Sequence, residues 1–265
     1  GGILGLRGSL SPSPRLENCM RIALITGAGR REGLGHEIAR QLGEREYHVI
    51  LTARQLGQVE PLAQELRNSG LGASALSLDV SDEASVTAAA QDVAAEFGHL
   101  DVLVNNAVMM VSSGTIMEKD LAELSQEFET NVVGVWRVTK HFVPLLASGG
   151  HGRVVNVSSG AGSFWDPDYG LVNYPGFALA GSGDAPITAY GLTKLALNGL
   201  TIKMSKDLRG DHILVNSVCP GVTDSRGVGF GRSAAESAKG IVWAATLPDD
   251  GPTGLFFRDG KQLPW

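Results

Sequence analysis

The chain has 265 residues, 43% hydrophobic and 19% charged, with a net charge of −6. That length suits one globular α/β domain with a sizeable core, and the acidic balance argues against nucleic acid and anionic membranes as partners. Cys19 and Cys219 make neither a disulfide framework nor a zinc set, the histidines show no ligand spacing and no apolar run spans a bilayer, so a cytoplasmic, metal-free protein is expected.

Residues 1–20 mix Gly, Ser and Pro without period and are expected to be a tag, linker, leader or flexible N-terminal segment, with an ordered arm as the alternative, translation starting at Met20 and one domain filling 21–265. From there, apolar runs of strand length alternate with amphipathic stretches. Strands are expected at 21–26, 48–52, 74–78, 100–105, 153–158, 213–218 and 254–257. Helices are expected at 34–45, 56–69, 82–97, 119–147 (as two), 188–209 and 233–246. This alternation predicts a doubly wound α/β domain, with a mostly parallel seven-stranded sheet and helices on both faces.

The first strand runs into "TGAGRREGLGHEIAR". Gly27, Gly29, Gly33 and Gly35 stand between that strand and the first helix, where a doubly wound fold binds dinucleotide phosphate. Glycine lets the backbone turn tightly and approach the pyrophosphate, although the strict G-x-G-x-x-G spacing is absent. Arg30 and Arg31 lie in this loop, and Arg54 follows the second strand. An acidic residue there would bind the ribose 2′-hydroxyl of NAD; arginine suits the 2′-phosphate of NADP. Asp79 closes the third strand, placed either to meet an adenine amino group or to cap the next helix, a role Asp82 also fits. "NNAV", with Asn106 and Ala107, closes the fourth strand as a turn or as a wall of the adenosine pocket.

Residues 163–186 break the rhythm. They are rich in Gly, Pro and aromatics, and a stretch this long inside a compact domain is usually functional. "TAYGLTK" follows at 188–194. On a helix, Tyr190 and Lys194 share a face. A cation beside a phenol lowers its pKa, giving a proton donor usable near neutral pH; the bland alternative is an ordinary helix turn.

The set "TGAGRREGLG", "LDV", "NNAV", Asn131 in "ETNVVG", Ser159 in "VNVSSGAG", "YGLTK" and "CPGVTD" resembles the short-chain dehydrogenase/reductase family over essentially all of 21–265. "VILTARQLGQ", "LPDDGPTG" and the terminal "LPW" look most like its NADPH-preferring carbonyl-reductase branch. The resemblance implies a Rossmann-type domain that reduces a ketone, aldehyde or quinone carbonyl. It implies Tyr190 as proton donor, Lys194 as the residue that tunes Tyr190 and grips the nicotinamide ribose, and Ser159 as the group that polarises the carbonyl. Ser158 competes with Ser159, and family register favours 159. Asn131 is implied to hold a water linking Lys194 to solvent. Leu34, Val80, Pro220, Gly221, Val222 and Thr223 complete the implied NADP(H) contacts.

Departures from the family pattern are specific. Five residues separate Gly27 from Gly33, two more than usual, which leaves the choice between Arg30 and Arg31 open. "NNAV" stands for Asn-Asn-Ala-Gly, and "PGVTD" is shortened. Ser159 and Tyr190 are 31 residues apart, an insertion also known in the carbonyl-reductase branch, where it covers the helices other members use to dimerise. Residues 163–186 are therefore expected to wall the substrate pocket and favour a monomer, with a homodimer as the alternative. The rival readings are a ketoreductase acting on carrier-bound 3-oxoacyl or polyketide substrates, and an NADP-sensing regulator without turnover.

Overall fold

The computed structural model describes residues 20–111, 117–172, 188–224 and 231–265. The expected leader up to residue 19, and the 163–186 stretch from 173 onward, lie outside the described residues. Among the described residues, eight strands form one sheet: β1 (Arg21–Ile25), β2 (Tyr47–Ala53), β3 (Ala73–Ser77), β4 (Val102–Asn105), β5 (Arg153–Val157), β6 (Leu214–Val218), β7 (Phe256–Arg258) and β8 (Lys261–Gln262). Their order is β3-β2-β1-β4-β5-β6-β7-β8, and every pairing is parallel except β7 with β8. The expected seven strands are thus corrected to eight. Asp259 and Gly260, both at positive φ, turn the chain after β7 into a short hairpin. The Asp-Gly pair favours that turn and was a readable signal in the sequence.

Among the described residues there are seven α-helices: α1 (Leu34–Gly43), α2 (Leu56–Asn68), α3 (Glu83–Phe97), α4 (Leu121–Phe128), α5 (Gly134–Gly149), α6 (Thr188–Asp207) and α7 (Ala234–Ala245). Side-chain caps set several starts: Asp82 accepts from Ala84 N, Asp120 from Ala122 N and Ser233 from Glu236 N. Gly98 and Gly150 end α3 and α5 in the left-handed conformation. The strands alternate their contacts as a period of two requires. In β1, Ala23 and Ile25 join a core with Ile38, Val59 and Ile241, whereas Ile22 and Leu24 face Val86, Phe142 and Met204. One face is therefore packed by α1, α2 and α7, and the other by α3, α5 and α6.

The chain leaves β1 toward β2 on one side and reaches β4 on the other. At this reversal the chain leaves β1 and β4 toward opposite faces of the sheet, which marks the crevice where doubly wound sheets bind ligands. Between α4 and α5 the helix widens into one π turn, Glu129–Val133, a feature frequent at functional sites.

Candidate active site

A cleft of about 850 Å³ follows that crevice across the ends of the strands. Of the expected site residues, all but Arg31 and Asn131 line it. Gly27 sits at φ +68°, and a Cβ there would stand 2.7 Å from Ala107 Cα. A Cβ at Gly35 would stand 2.7 Å from Asn106 Nδ2 and 2.9 Å from Ala28 Cα. The glycine loop thus lies directly on the strand-end loop after β4. Asn106 fixes this contact by donating to Thr26 O at 2.8 Å and Gly27 O at 3.1 Å, while Thr26 Oγ1 accepts from the amides of Asn106 and Ala107 at 2.9 Å each.

Gly33 is the N-cap of α1 and brings no side chain to the first-turn amides. Those donors, with the positive end of the helix, favour an anion. Arg30 and Arg54 line the cleft, are exposed, and pair with no acid among the described residues. Arg31 instead turns outward to Glu65 at 2.6 Å. Of the two arginines around the two-residue insertion, Arg30 is the one that lines the cleft. Asp79 lines the cleft with Oδ1 held by Ser81 N at 3.0 Å and Ser81 Oγ at 2.6 Å, whereas Asp82 takes the helix-cap role. A glycine cradle, an open helix terminus and two uncompensated guanidinium groups fit a phosphorylated dinucleotide.

Farther along the cleft stand Ser159 and Tyr190, close enough for the serine hydroxyl to act on the phenol. Ser159 follows β5 and caps a single 3-10 turn, Gly160–Gly162, accepting from Ala161 N at 3.2 Å. Ser158 is buried and donates to Asn198 Oδ1 at 2.6 Å, so its hydroxyl is committed to holding α6. Glycines let α6 approach: a Cβ at Gly162 would stand 2.5 Å from Lys194 C, and one at Gly191 would stand 2.8 Å from Ala161 O. Lys194 is buried beneath the Tyr190 ring, its Nζ 5.5 Å from the ring centroid and donating to Val157 O at 2.7 Å.

Burial pulls the Lys194 ammonium down to about 7. Burial also pushes the Tyr190 phenol above its ordinary value, against the hydrogen bond from Ser159, which lowers it. This corrects the expectation of a lowered phenol pKa. Lys194 holds only a partial charge near neutrality and its ammonium is turned to a backbone carbonyl, so desolvation of the phenolate dominates.

Asn131 stands fully buried behind the wall, within the π turn. Its Oδ1 accepts from Met109 N at 2.8 Å, and its Nδ2 donates to Met109 O at 2.8 Å and Thr193 Oγ1 at 3.1 Å. Asn131 therefore ties the loop after β4 to α6. Thr223 donates to Ser237 Oγ at 2.8 Å, and Gly221, at φ +73°, admits the Arg232 guanidinium that pairs with Asp259 at 2.7 Å. The 163–186 stretch, expected to wall the pocket, reaches the cleft through Tyr169 and Leu171; Cys219 also lines it and was not singled out as a site residue.

The sequence model described as short chain dehydrogenase matches residues 21–175. Carbonyl reductase (NADPH) 3 of Homo sapiens is 31% identical over 94% of this chain and 100% of its own. The chain belongs to the short-chain dehydrogenase family. Among solved structures of this family, an NADPH-bound carbonyl reductase from chicken fatty liver matches with a TM-score of 0.77 and 26% identity over 93% of this chain and 99% of its own. A metagenomic short-chain oxidoreductase in complex with NADP matches at 0.71 and 28% identity, over 90% and 96%. The family's doubly wound architecture is the one described above. Among the described residues no group of His, Cys, Asp and Glu could hold a metal ion, and no helix is long and apolar enough to cross a membrane.

Proposed function

We propose that the protein is an NADPH-dependent oxidoreductase that reduces a ketone, aldehyde or quinone carbonyl to an alcohol. The observation that carries this reading is the meeting, in one cleft, of the Ser159–Tyr190 hydroxyl pair with a phosphate cradle flanked by Arg30 and Arg54. The names of the similar proteins, carbonyl reductases described with NADPH, point the same way.

Gly27, Gly33, Gly35 and the α1 terminus would hold the pyrophosphate, Arg30 and Arg54 the 2′-phosphate, and Lys194 the nicotinamide ribose. Bound NADPH would supply the hydride. Ser159 donates a hydrogen bond to the carbonyl oxygen, so negative charge developing there meets a positioned donor. Tyr190 gives that oxygen its proton; burial makes the phenol a weaker acid, and the Ser159 hydroxyl offsets part of that effect. Asn131 braces α6 through Thr193 and thereby the height of Tyr190 over the cleft. Met109 and Leu171 supply apolar lining that excludes water from the reacting carbon. The protein acts as a monomer in the cytoplasm in this reading.

The test is NADPH consumption with a panel of ketones, aldehydes and quinones. Tyr190→Phe should lower kcat by about 10²–10⁴-fold, the range for a lost general acid, while NADPH titration still shows binding. No consumption by the parent protein with any panel member, or full activity in the variant, would refute the assignment.

A further inference from the structure

Asp166 is a fully buried carboxylate that the proposed chemistry does not use. It lies in the segment leading from the 3-10 turn toward α6. Its Oδ1 accepts from Asp168 N at 2.9 Å and Tyr169 N at 3.0 Å, and its Oδ2 meets Arg258 Nη1 at 3.0 Å. Arg258 belongs to β7, distant in sequence, and its Nη2 reaches Asp168 at 2.6 Å. Ser163 closes the same segment: its hydroxyl accepts from Asp166 N at 2.8 Å and donates to Pro264 O at 2.8 Å, near the C-terminus. Leu171 N returns to Ser163 O at 2.9 Å. The segment is a closed loop pinned to the C-terminal strand.

A buried ion pair is a weak source of stability, because desolvation offsets the Coulomb gain. What this pair supplies is a fixed direction for Tyr169. Arg258 sits 5.4 Å from the centroid of the Tyr169 ring. The ring is pressed so close to Gly160 that a Cβ there would stand 2.9 Å from Tyr169 Cδ2 and 2.7 Å from Asp166 Oδ2. Gly160 adjoins Ser159 in the chain, and Tyr169 and Ser159 line the same cleft. Tyr169 and Leu171 both face the cleft.

We infer that Tyr169 is a specificity-determining residue that walls the Ser159 side of the carbonyl position, and that Arg258 and Asp166 are positioning residues acting through it. The inference rests on the carbonyl-reduction reading. A substituent large enough to reach the ring, a phenyl group above all, gains a rigid aromatic contact there; a short aliphatic aldehyde does not reach it.

The experiment compares acetophenone, cyclohexyl methyl ketone and propanal with NADPH. Tyr169→Ala should raise KM for acetophenone about tenfold, a usual scale for one aromatic contact. It should leave kcat/KM for propanal and the NADPH dissociation constant at parent values, and Tyr169→Phe should behave like the parent. Arg258→Met should reproduce the selective loss, and Arg258→Lys should recover part of it. Should Arg258→Met fail to fold, the Tyr169 pair decides alone. An equal loss for all three carbonyls, no loss, or a change in NADPH binding would overturn the inference. A parent enzyme that turns over none of them would overturn the carbonyl-reduction reading itself, a result visible before any variant is made.

Discussion

Lys194 carries a measurable signature of its own. Its folded-state pKa, about 7, lies below the ordinary lysine value of about 10.4. Between these pH values the unfolded chain binds a proton that the folded chain has released, so stability rises with pH across that window. The slope approaches about 1.4 kcal/mol per pH unit for one such group. Urea unfolding of the nucleotide-free protein at pH 7.5, 8.5 and 9.5 should show this rise, and Lys194→Met should flatten it; parallel profiles would mean that the ammonium is not desolvated. In the proposed function, Arg54 governs a different choice at the same scale. Arg54→Asp exchanges a phosphate partner for a ribose partner and should shift the NADPH-over-NADH affinity ratio by about 10–100-fold toward NADH, the worth of one charge-assisted hydrogen bond. Unchanged selectivity in side-by-side titrations would remove Arg54 from the nucleotide site.

At the scale of elements, α6 is held to the sheet by its polar face. Lys194, Asn198, Thr201 and Ser205 recur at helical spacing and are all buried. Asn198 accepts from Ser158 Oγ, and Thr201 accepts from Asn156 at 2.9 Å and meets Ser217 at 2.8 Å. Hydrogen bonds fix a helix more narrowly than apolar contact does, which suits an element that must place a phenol over a cleft. On the opposite wall, α4 carries Glu127 one turn before Asn131. Glu127 is fully buried, accepts from Val111 N at 3.0 Å and pairs with Lys119 at 3.1 Å. Lys119→Met leaves that carboxylate uncompensated and should cost about 3–5 kcal/mol in urea unfolding. Replacing both members by methionine should recover most of the loss. A single variant as stable as the parent would show that Glu127 does not need the ammonium.

At the scale of the molecule, the short hairpin β7–β8 and the C-terminal residues back the site from behind. Phe256 stacks on Trp265 at 5.6 Å between ring centroids, Pro264 receives the Ser163 hydroxyl, and Arg258 holds Asp166. The end of the chain thereby supports the wall of a cleft whose floor is set by its beginning. The expected monomer is checked by size-exclusion chromatography with light scattering. A stable dimer or tetramer would contradict it, and would draw attention to Trp136 on α5, 58% exposed beside the half-open Val133.

Local pattern determined much of this protein. Strand–helix alternation gave the doubly wound sheet, glycines after β1 gave the cradle, and the four-residue spacing of Tyr190 and Lys194 gave one helix face, because each rests on neighbours a few residues apart. Tertiary structure decided the rest. It bonded the Ser158 hydroxyl to α6, and turned Arg31 to Glu65 while Arg30 lines the cleft. It raised the phenol pKa that the sequence suggested was lowered, because burial depends on everything packed around a group. It also joined Asp166 to Arg258, since no local pattern encodes a contact closed across ninety-odd residues of chain.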